Sequence, residues 1–398
     1  MNDFIGKISP QAWMVASETK TVMAALTENG GDARFVGGCV RDTLANRRVV
    51  DIDIATPLMP EDVIARMEGS KIPYAPTGLK HGTVTAIVEG KPFEITTLRR
   101  DIATDGRHAE VVFTDDWHED AARRDFTFNA IFATIDGTII DFFGGVGDLR
   151  HGRVHFVGEP SQRIAEDHLR ILRFFRFQAH FGQEVPNKTV LKACQEAAYS
   201  IKNLSAERIR HEILKLLEAP NPAPVWQMMV DQDIIQYALP EATNVEALAR
   251  LVMFEEKYET EPSALRRLAA LIGDTEIAII AEKLRLSRQQ AARLSSMRID
   301  KPELQDRASI RRAVYRHGND AVRNALLLAA PLNMQELYLE ATAFRAPSLP
   351  VEGEDVLALG ITSGPRVGEI LNAVEDWWIK QDFTPNRAAC LQKLATLI

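Results

Sequence analysis

The sequence has few cysteines and no long apolar run, and these absences exclude several classes of protein. Its three cysteines, Cys39, Cys194 and Cys390, lie far apart, and none belongs to a CxxC pair. This spacing argues against a zinc site or a disulfide framework and favours a reducing compartment. No apolar stretch approaches the length of a membrane span, and the N-terminal segment lacks the basic and apolar regions of a signal peptide. We therefore expect a cytoplasmic protein without membrane contact.

The chain also has no excess of positive charge. It contains 47 lysine and arginine residues against 55 aspartate and glutamate residues, for a formal net charge of -8. This balance argues against a general nucleic-acid coat, because nonspecific binding depends mostly on phosphate electrostatics. Basic residues are nevertheless clustered, for example at 99–100, 123–124 and 163–176. A local positive groove can coexist with an acidic remainder, so RNA stays a possible partner.

One segment, residues 33–56, organises the rest of the chain. Its first residues indicate the end of a short strand, and Gly37 and Gly38 then turn the chain into a short helix. Backbone amides at the start of a helix favour an anion, and the forked guanidinium of Arg41 adds donors for a phosphate. The sequence therefore predicts a phosphate-binding turn at this point.

A second strand, predicted over residues 49–55, follows the turn. The period of two directs Val50 and Ile52 towards the core and places Asp51 and Asp53 on the other face, about 7 Å apart. Mg²⁺ binds carboxylates and substrate phosphates, and two such ions can clamp the attacking and leaving oxygens of a phosphoryl displacement. A phosphate-binding turn followed by two carboxylates predicts nucleotidyl transfer that uses Mg²⁺.

These two features, in this order, resemble the signature of class II nucleotidyltransferases in the DNA polymerase beta superfamily. That group includes tRNA CCA-adding enzymes and bacterial poly(A) polymerases. The resemblance implies an α+β fold, with a small mixed-sheet catalytic head followed by an all-α neck, body and tail. Proline-rich breaks at 218–224 and 345–353 suggest the later boundaries. The expected parts are the head at 1–150, the neck at 151–218, the body at 219–345 and the tail at 346–398.

The resemblance also assigns roles beyond the first segment. Glu94 matches a third acidic residue near the metals, although an ordinary strand carboxylate is the alternative. In the segment RRDFTFNAI, Arg124 would contact the triphosphate, Asp125 would orient that arginine, and Asn129 would bond the ribose or hold the turn. Residues 99–113 are polar and predict a loop. In the family a flexible loop at this position is required for adding A; a plain connector is the alternative.

Residues 161–181 predict, for the most part, one amphipathic helix. Glu166, Asp167 and Arg170 match the family's EDxxR motif, whose aspartate and arginine read the incoming base. An ionised aspartate only accepts hydrogen bonds and an arginine only donates them, so the pair can bond cytosine or adenine but not uracil or guanine. The alternative is a surface ion pair between Asp167 and Arg170.

Further residues receive expectations along the rest of the chain, and all but the body arginines are assigned by the resemblance. Arg173 and Arg176 would hold the triphosphate. A second helix carries the family's ERIxxE element, which would brace the base-reading helix through residues including Arg208 and Glu212. Arginines of the body either contact an RNA backbone or are simply solvated; these are Arg266, Arg267, Arg311, Arg312 and Arg323. In the tail, a helix start near residues 365–368 would help to hold tRNA.

The sequence therefore predicts an enzyme that uses Mg²⁺, CTP and ATP to add CCA to the 3′ end of tRNA, with release of pyrophosphate. Asp51 and Asp53 would hold the metals and deprotonate or orient the terminal hydroxyl. Two alternatives stay open, a poly(A) polymerase and a noncatalytic RNA-binding relative. The sequence leaves the oligomeric state undetermined.

Overall fold

The computed structural model describes residues 4–104 and 109–398. The chain forms two compact units, Met1–Thr243 and Asn244–Ile398. The predicted division into head, neck, body and tail is finer than these two units and stays a prediction. Within the described residues, no helix combines the length and the apolar character needed to cross a membrane.

Among the described residues, every strand lies in the first unit. They are β1 (Phe4–Lys7), β2 (Arg34–Val36), β3 (Ile52–Thr56), β4 (Tyr74–Gly78), β5 (Thr83–Val88), β6 (Lys91–Thr97), β7 (Arg99–Thr104), β8 (Ala109–Phe113), β9 (Ile131–Ala133) and β10 (Thr138–Asp141). Eight of them form a sheet in the order β1-β10-β9-β2-β3-β6-β5-β4, while β7 and β8 pair separately. In the large sheet β3 and β6 run parallel, and the other neighbours are antiparallel. This mixed sheet confirms the predicted α+β class.

The helices of the first unit surround and extend this sheet. They are α1 (Ala12–Val15), α2 (Ser17–Thr27), α3 (Gly38–Leu44), α4 (Pro60–Gly69), α5 (Trp117–Ala122), α6 (Gly145–Arg150), α7 (Pro160–Glu166), α8 (Leu169–Phe181), α9 (Lys188–Ala197), α10 (Ala206–Leu217), α11 (Ala223–Asp231) and α12 (Ile235–Ala238). A buried apolar cluster that includes Val36, Ala55, Leu98, Phe132 and Ile140 fixes β2, β3, β9 and β10. Burial of such side chains is the main source of stability in the unit.

The described residues of the second unit form helices only, as expected for a helical body and tail. The α-helices are α13 (Val245–Lys257), α14 (Ala264–Ile272), α15 (Ile277–Lys283), α16 (Arg288–Ser296), α17 (Arg307–His317), α18 (Asn319–Ala329), α19 (Met334–Ala343), α20 (Gly353–Ala358), α21 (Pro365–Lys380) and α22 (Arg387–Ala395). One apolar core includes Ile310 and Leu337, and a second includes Val356 and Trp378. Trp378 is 1% exposed and packs within the second of these cores.

Two local predictions about the first unit are wrong. Val50 is 80% exposed and does not face the core, because the ladder between β3 and β6 begins only at Ile52. Residues 99–113 are not simply a loop, because β7 and β8 pair from Arg99 opposite Phe113 to Thr104 opposite Ala109. Backbone hydrogen bonds hold β7 and β8 together. These bonds do not depend on side chains, so a sequence without a hydrophobic period can still form the pair. The predicted loop also includes residues 105–108, which lie outside the described residues.

Candidate active site

A cavity of about 670 Å³ in the first unit collects most of the predicted site residues. Its charged lining consists of the acidic residues Asp51, Asp53, Glu94 and Asp125 and the arginines Arg41, Arg124, Arg173 and Arg176. Gly37, Gly38 and Asn129 also line it. A cavity that combines carboxylates with guanidinium groups can bind a metal ion and a polyphosphate together.

The acidic edge of the cavity is built by the parallel strands β3 and β6. Asp53 lies opposite Glu94 in their register, so the two side chains project from the same face of the sheet. Asp51 lies one residue before β3, and both Asp51 and Glu94 are exposed. Burial raises the pKa of Asp53 to about 6, and the negative charges of Glu94 and Asp51 contribute to the rise. A cation at this edge would relieve that repulsion.

The glycine turn positions the opposite wall of the cavity. Gly37 adopts a φ of 70° immediately before α3, a conformation in which a residue with a side chain would be strained. Its amide donates to the carbonyl of Ile131, at 3.3 Å, and its carbonyl accepts from the amide of Arg41, at 2.9 Å. The helix begins at Gly38, so the turn from β2 into α3 is confirmed.

The arginines of the cavity are fixed by carboxylate and amide partners. Arg41 pairs with Asp42 at 2.8 Å and donates through Nη1 to the amide oxygen of Asn129, also at 2.8 Å. Asn129 in turn donates to Asp125 at 3.0 Å. Asn129 therefore links Arg41 to a buried carboxylate, and its contact with the ribose or its role in the turn stays a prediction.

Asp125 does not orient Arg124, contrary to prediction. Its carboxylate accepts from Nε of Arg173 at 2.6 Å, and Asp120 is the residue that pairs with Arg124, at 2.9 Å. Burial opposes the ionisation of Asp125, but the charge of Arg173 and the hydrogen bond from Asn129 outweigh it and lower the pKa to about 2. Asp120 lies on α5, and Arg124 follows two residues after the helix ends. The spacing of four residues is the one that brings such side chains together on a helix.

Comparison with known proteins identifies the family. The family model described as "Poly A polymerase head domain" matches residues 33–155, and that described as "Probable RNA and SrmB- binding site of polymerase A" matches residues 186–245. The chain is 34% identical over 383 residues to "CCA tRNA nucleotidyltransferase 1, mitochondrial" of Danio rerio, covering 92% of this chain and 88% of that protein. It is 30% identical to the "CCA-adding enzyme" of Bacillus cytotoxicus, covering 89% and 92% of the two chains.

The chain belongs to the CCA-adding tRNA nucleotidyltransferase family. The solved structure of the Bacillus stearothermophilus CCA-adding enzyme in complex with CTP is similar, with a TM-score of 0.72 and 27% identity, over 92% of this chain and 93% of that one. The Thermotoga maritima CCA-adding enzyme complexed with tRNA shares the fold at a TM-score of 0.67 and 21% identity, over 95% and 94%. The predicted class and the predicted nucleotidyltransferase activity are thus confirmed.

The family's EDxxR segment is arranged differently from the sequence prediction. The single helix predicted over 161–181 is interrupted, because α7 ends at Glu166 and α8 begins at Leu169. The carboxylate of Asp167 accepts from the amide of Leu169 at 3.0 Å, and it pairs with Arg208. Arg170 pairs with Glu166 instead. The ion pair considered between Asp167 and Arg170 is therefore not the one formed, and neither residue belongs to the described lining of the cavity.

The ERIxxE element on α10 forms the predicted contacts with Asp167 and α8, while the role of that segment in base reading stays a prediction. Besides the pair between Arg208 and Asp167, Glu212 forms ion pairs with Arg176 at 2.8 Å and with Arg173 at 3.8 Å. Glu212 is 2% exposed, so these pairs lie between the two helices. The element thus positions two of the arginines that line the cavity.

Sequence reasoning missed three residues of this family site. Phe177 and His211 line the cavity, and Asp120, which is 1% exposed, holds Arg124. The spacing of four residues between Asp120 and Arg124 could have indicated that these two side chains pair. The sequence does not distinguish Phe177 from the other apolar positions of an amphipathic helix. His211 is an isolated histidine, and a single histidine does not indicate a particular function.

Two of the body arginines are not available to RNA. Arg266 and Arg267 are 4% and 1% exposed, and both pair with the buried carboxylate of Glu255, at 2.6 and 2.7 Å. The side chains of these residues stabilise the second unit internally. RNA contact by them is therefore excluded as long as α14 is folded.

Proposed function

We propose that the chain adds CCA to the 3′ end of tRNA, using CTP and ATP and releasing pyrophosphate. The observation that carries this proposal is the cavity in which Asp51, Asp53 and Glu94 meet four arginines. Support comes from relatives named for this activity and from the similar Bacillus stearothermophilus enzyme, whose structure contains CTP.

The acidic edge fits Mg²⁺. Among the described residues no three carboxylate, histidine or cysteine side chains close around a single point. Mg²⁺ does not need such a closed set, because it commonly takes one or two carboxylates and completes its shell with water and substrate phosphates. Burial is the main cause of the raised pKa of Asp53, and the charges of Glu94 and Asp51 add to it, so a cation at this edge would be favourable. Asp51 and Asp53 would hold the metal, with Glu94 beside them; when bound, the ions would stabilise the attacking and leaving oxygens.

The protein's own residues position the reacting groups. Arg41, Arg124, Arg173 and Arg176 would hold the triphosphate and then the pyrophosphate that leaves. The 3′ oxygen of the tRNA loses its proton to the carboxylate of Asp53 or to water and forms a bond to the α-phosphorus, while the bond from that phosphorus to the bridging oxygen breaks and pyrophosphate leaves. Asp53 orients the attacking hydroxyl. Because phosphoryl transfer depends mostly on positioning and charge stabilisation, no covalent intermediate on the protein is required.

Asp167 and Arg170 would select the base. An acceptor and a donor side by side match the hydrogen-bonding edges of cytosine and adenine and leave unpaired groups against uracil and guanine. In the free protein these side chains contact Arg208 and Glu166. Base reading therefore requires them to exchange those partners for the nucleotide.

The direct test uses a tRNA transcript that ends at the discriminator base, with Mg²⁺ and with CTP, ATP or both. We expect two additions with CTP alone and a third only when ATP is also present, followed by arrest. A long ladder with ATP alone would instead indicate a poly(A) polymerase. No extension in any reaction would overturn the proposed activity.

A matched pair of variants connects the activity to the cavity. Asp51→Asn should reduce extension by at least a hundredfold, roughly the loss seen when a key electrostatic group is removed. Asp136→Asn is the control, because Asp136 is an exposed carboxylate of the same unit that pairs with Lys7 at 2.6 Å. Equal activities of the two variants would contradict the proposed site.

A further inference from the structure

One aromatic ring in the cavity contacts three of its arginines. Phe177 lies on α8, lines the cavity and is 4% exposed. The guanidinium carbons of Arg41, Arg173 and Arg176 lie 5.2, 5.4 and 4.3 Å from the centroid of its ring. A cation within about 6 Å of an aromatic centroid is attracted by the negative face of the ring.

Each of these arginines is also anchored by a carboxylate. The partners of Arg41, Arg173 and Arg176 are Asp42, Asp125 and Glu212, respectively. In the last two pairs the carboxylate contacts Nε. A guanidinium has five N–H donors, and the hydrogen bond from Arg173 to Asp125 uses only one of them. The carboxylate and the ring together restrict the orientation of the guanidinium. Its terminal nitrogens can still donate hydrogen bonds to an oxyanion.

Gathering three cations in one cavity has an electrostatic cost. Burial lowers the pKa of Arg176 to about 10; the carboxylate of Glu212 opposes the shift, and the charges of Arg173 and Arg41 add to it. A ring face offers a partly negative surface without adding a full negative charge. Another carboxylate would add negative charge to the cavity and weaken its attraction for a polyphosphate, whereas a ring does not.

The ring itself is held by its neighbours. Phe177 makes T-shaped contacts with Phe126 and Phe128, at centroid distances of 5.1 and 5.3 Å and interplanar angles of 72° and 73°. Both neighbours are fully buried. The orientation of Phe177 is therefore set by the core and does not depend on the nucleotide.

We propose that Phe177 is a positioning residue for the incoming nucleotide, whose ring preorganises three arginines as a cradle for the triphosphate. This inference rests on the proposed function, because it takes the nucleoside triphosphate as the ligand of the cavity. Preorganised donors bind an anion more tightly, since less conformational freedom is lost on binding. The ring acts through the arginines and does not need to contact the reacting atoms.

Fluorination of the ring separates this role from simple packing. Replacing Phe177 with its mono-, di- and trifluorinated analogues keeps the ring and progressively removes the negative charge of its face. We expect the KM for CTP to rise in steps, by about tenfold for the trifluorinated ring, since about one power of ten corresponds to the loss of a partly buried cation–π contact. The kcat should change little, because the interaction is made equally with bound substrate and transition state.

A leucine pair supplies the control. Phe177→Leu removes the ring, and Phe174→Leu removes a ring from the same helix that is fully buried and packs against Phe156 and Phe175. We expect both variants to lose similar stability in urea unfolding. Only Phe177→Leu should weaken CTP binding, by about tenfold.

Direct titration with CTP and Mg²⁺ keeps this inference distinct from the proposed function. If the unmodified protein binds CTP and extends tRNA while all the fluorinated proteins bind CTP equally well, the role of Phe177 is wrong and the proposed function stands. Equal loss of CTP affinity in the two leucine variants would also overturn it. If the unmodified protein neither binds CTP nor extends tRNA, the proposed function fails first.

Discussion

Asp53 and Glu94 occupy paired positions on the parallel strands β3 and β6, so two carboxylates project from neighbouring strands into one cavity. Burial is the main cause that raises the pKa of Asp53 to about 6, and Glu94 is the charge that adds most to the rise. The protein thus keeps a destabilised carboxylate at the position where a cation is expected.

Replacing Asp53 should stabilise the metal-free protein while abolishing activity. The pKa of Asp53 is higher in the folded protein, at about 6, than in an unfolded chain, at about 3.8. The folded state therefore holds the proton more tightly, and stability falls as the pH rises between these values. We expect Asp53→Asn to raise the free energy of unfolding by about 2 kcal/mol at pH 7, with little gain below pH 4. Urea unfolding in EDTA at both pH values measures this.

Addition of Mg²⁺ supplies the control for that experiment. A cation that binds at the acidic edge stabilises the folded state by mass action. Mg²⁺ should therefore raise the stability of the unmodified protein more than that of Asp53→Asn. A gain that is the same at pH 4 and pH 7, or equal stabilisation of both proteins by Mg²⁺, would contradict the assignment.

Asp125 should show the opposite pH dependence. Burial disfavours its charge, but Arg173 and Asn129 lower its pKa to about 2, below the unfolded value of about 3.8. Its contribution is therefore complete above pH 4 and is lost as the pH falls towards 2. We expect Asp125→Asn to cost about 2 kcal/mol at pH 7, and the difference from the unmodified protein to shrink below pH 4. A difference that stays constant between pH 7 and pH 3 would argue against the ion pair.

The sequence was informative where the signal is local. The turn at Gly37 and Gly38 follows from backbone preferences, and the placement of Asp53 follows from strand alternation; both depend on near neighbours. Glu94 could be placed only through the family resemblance, because its register with Asp53 is a contact between distant strands. The structure brings all three carboxylates to the same cavity.

The sequence was misleading where distant or polar contacts decide the conformation. The break between α7 and α8 depends on Asp167, whose carboxylate caps Leu169 locally and pairs with Arg208, 41 residues later. Helical periodicity alone does not detect such a break. Arg266 and Arg267 likewise resembled a solvated helix face, because their burial depends on Glu255 from a different helix.

Removing the carboxylate of Asp167 should relax base selection. Without this acceptor, the amino groups of cytosine and adenine lose their partner, and uracil and guanine lose the group that rejects them. We expect Asp167→Ala to reduce the preference for CTP over UTP by about a hundredfold in kcat/KM. Glu196→Ala is a suitable control, because that carboxylate is exposed on α9 and pairs weakly with Lys192, at 3.7 Å.

The outcome of this comparison tests the template directly. If Asp167→Ala lost activity with all four nucleotides equally, the residue would act only through its contacts with Arg208 and Leu169. The single-nucleotide products of reactions with CTP, UTP, ATP and GTP distinguish the two results. Relaxed selection in Glu196→Ala would also argue against a specific template.

The buried charges of the second unit should prove structural. Glu255 is 3% exposed and pairs with both Arg266 and Arg267, so Glu255→Gln removes the buried negative charge that these two guanidinium groups share. Breaking a buried ion pair in this way costs about 3 to 5 kcal/mol. Glu336→Gln is the matched control, because its pair with Arg307 is exposed and should contribute less than about 1 kcal/mol. Hydrogen exchange of the α14 amides in the full chain would measure the loss of stability in each variant. Equal protection in the two variants would show that the buried pairs do not stabilise this unit.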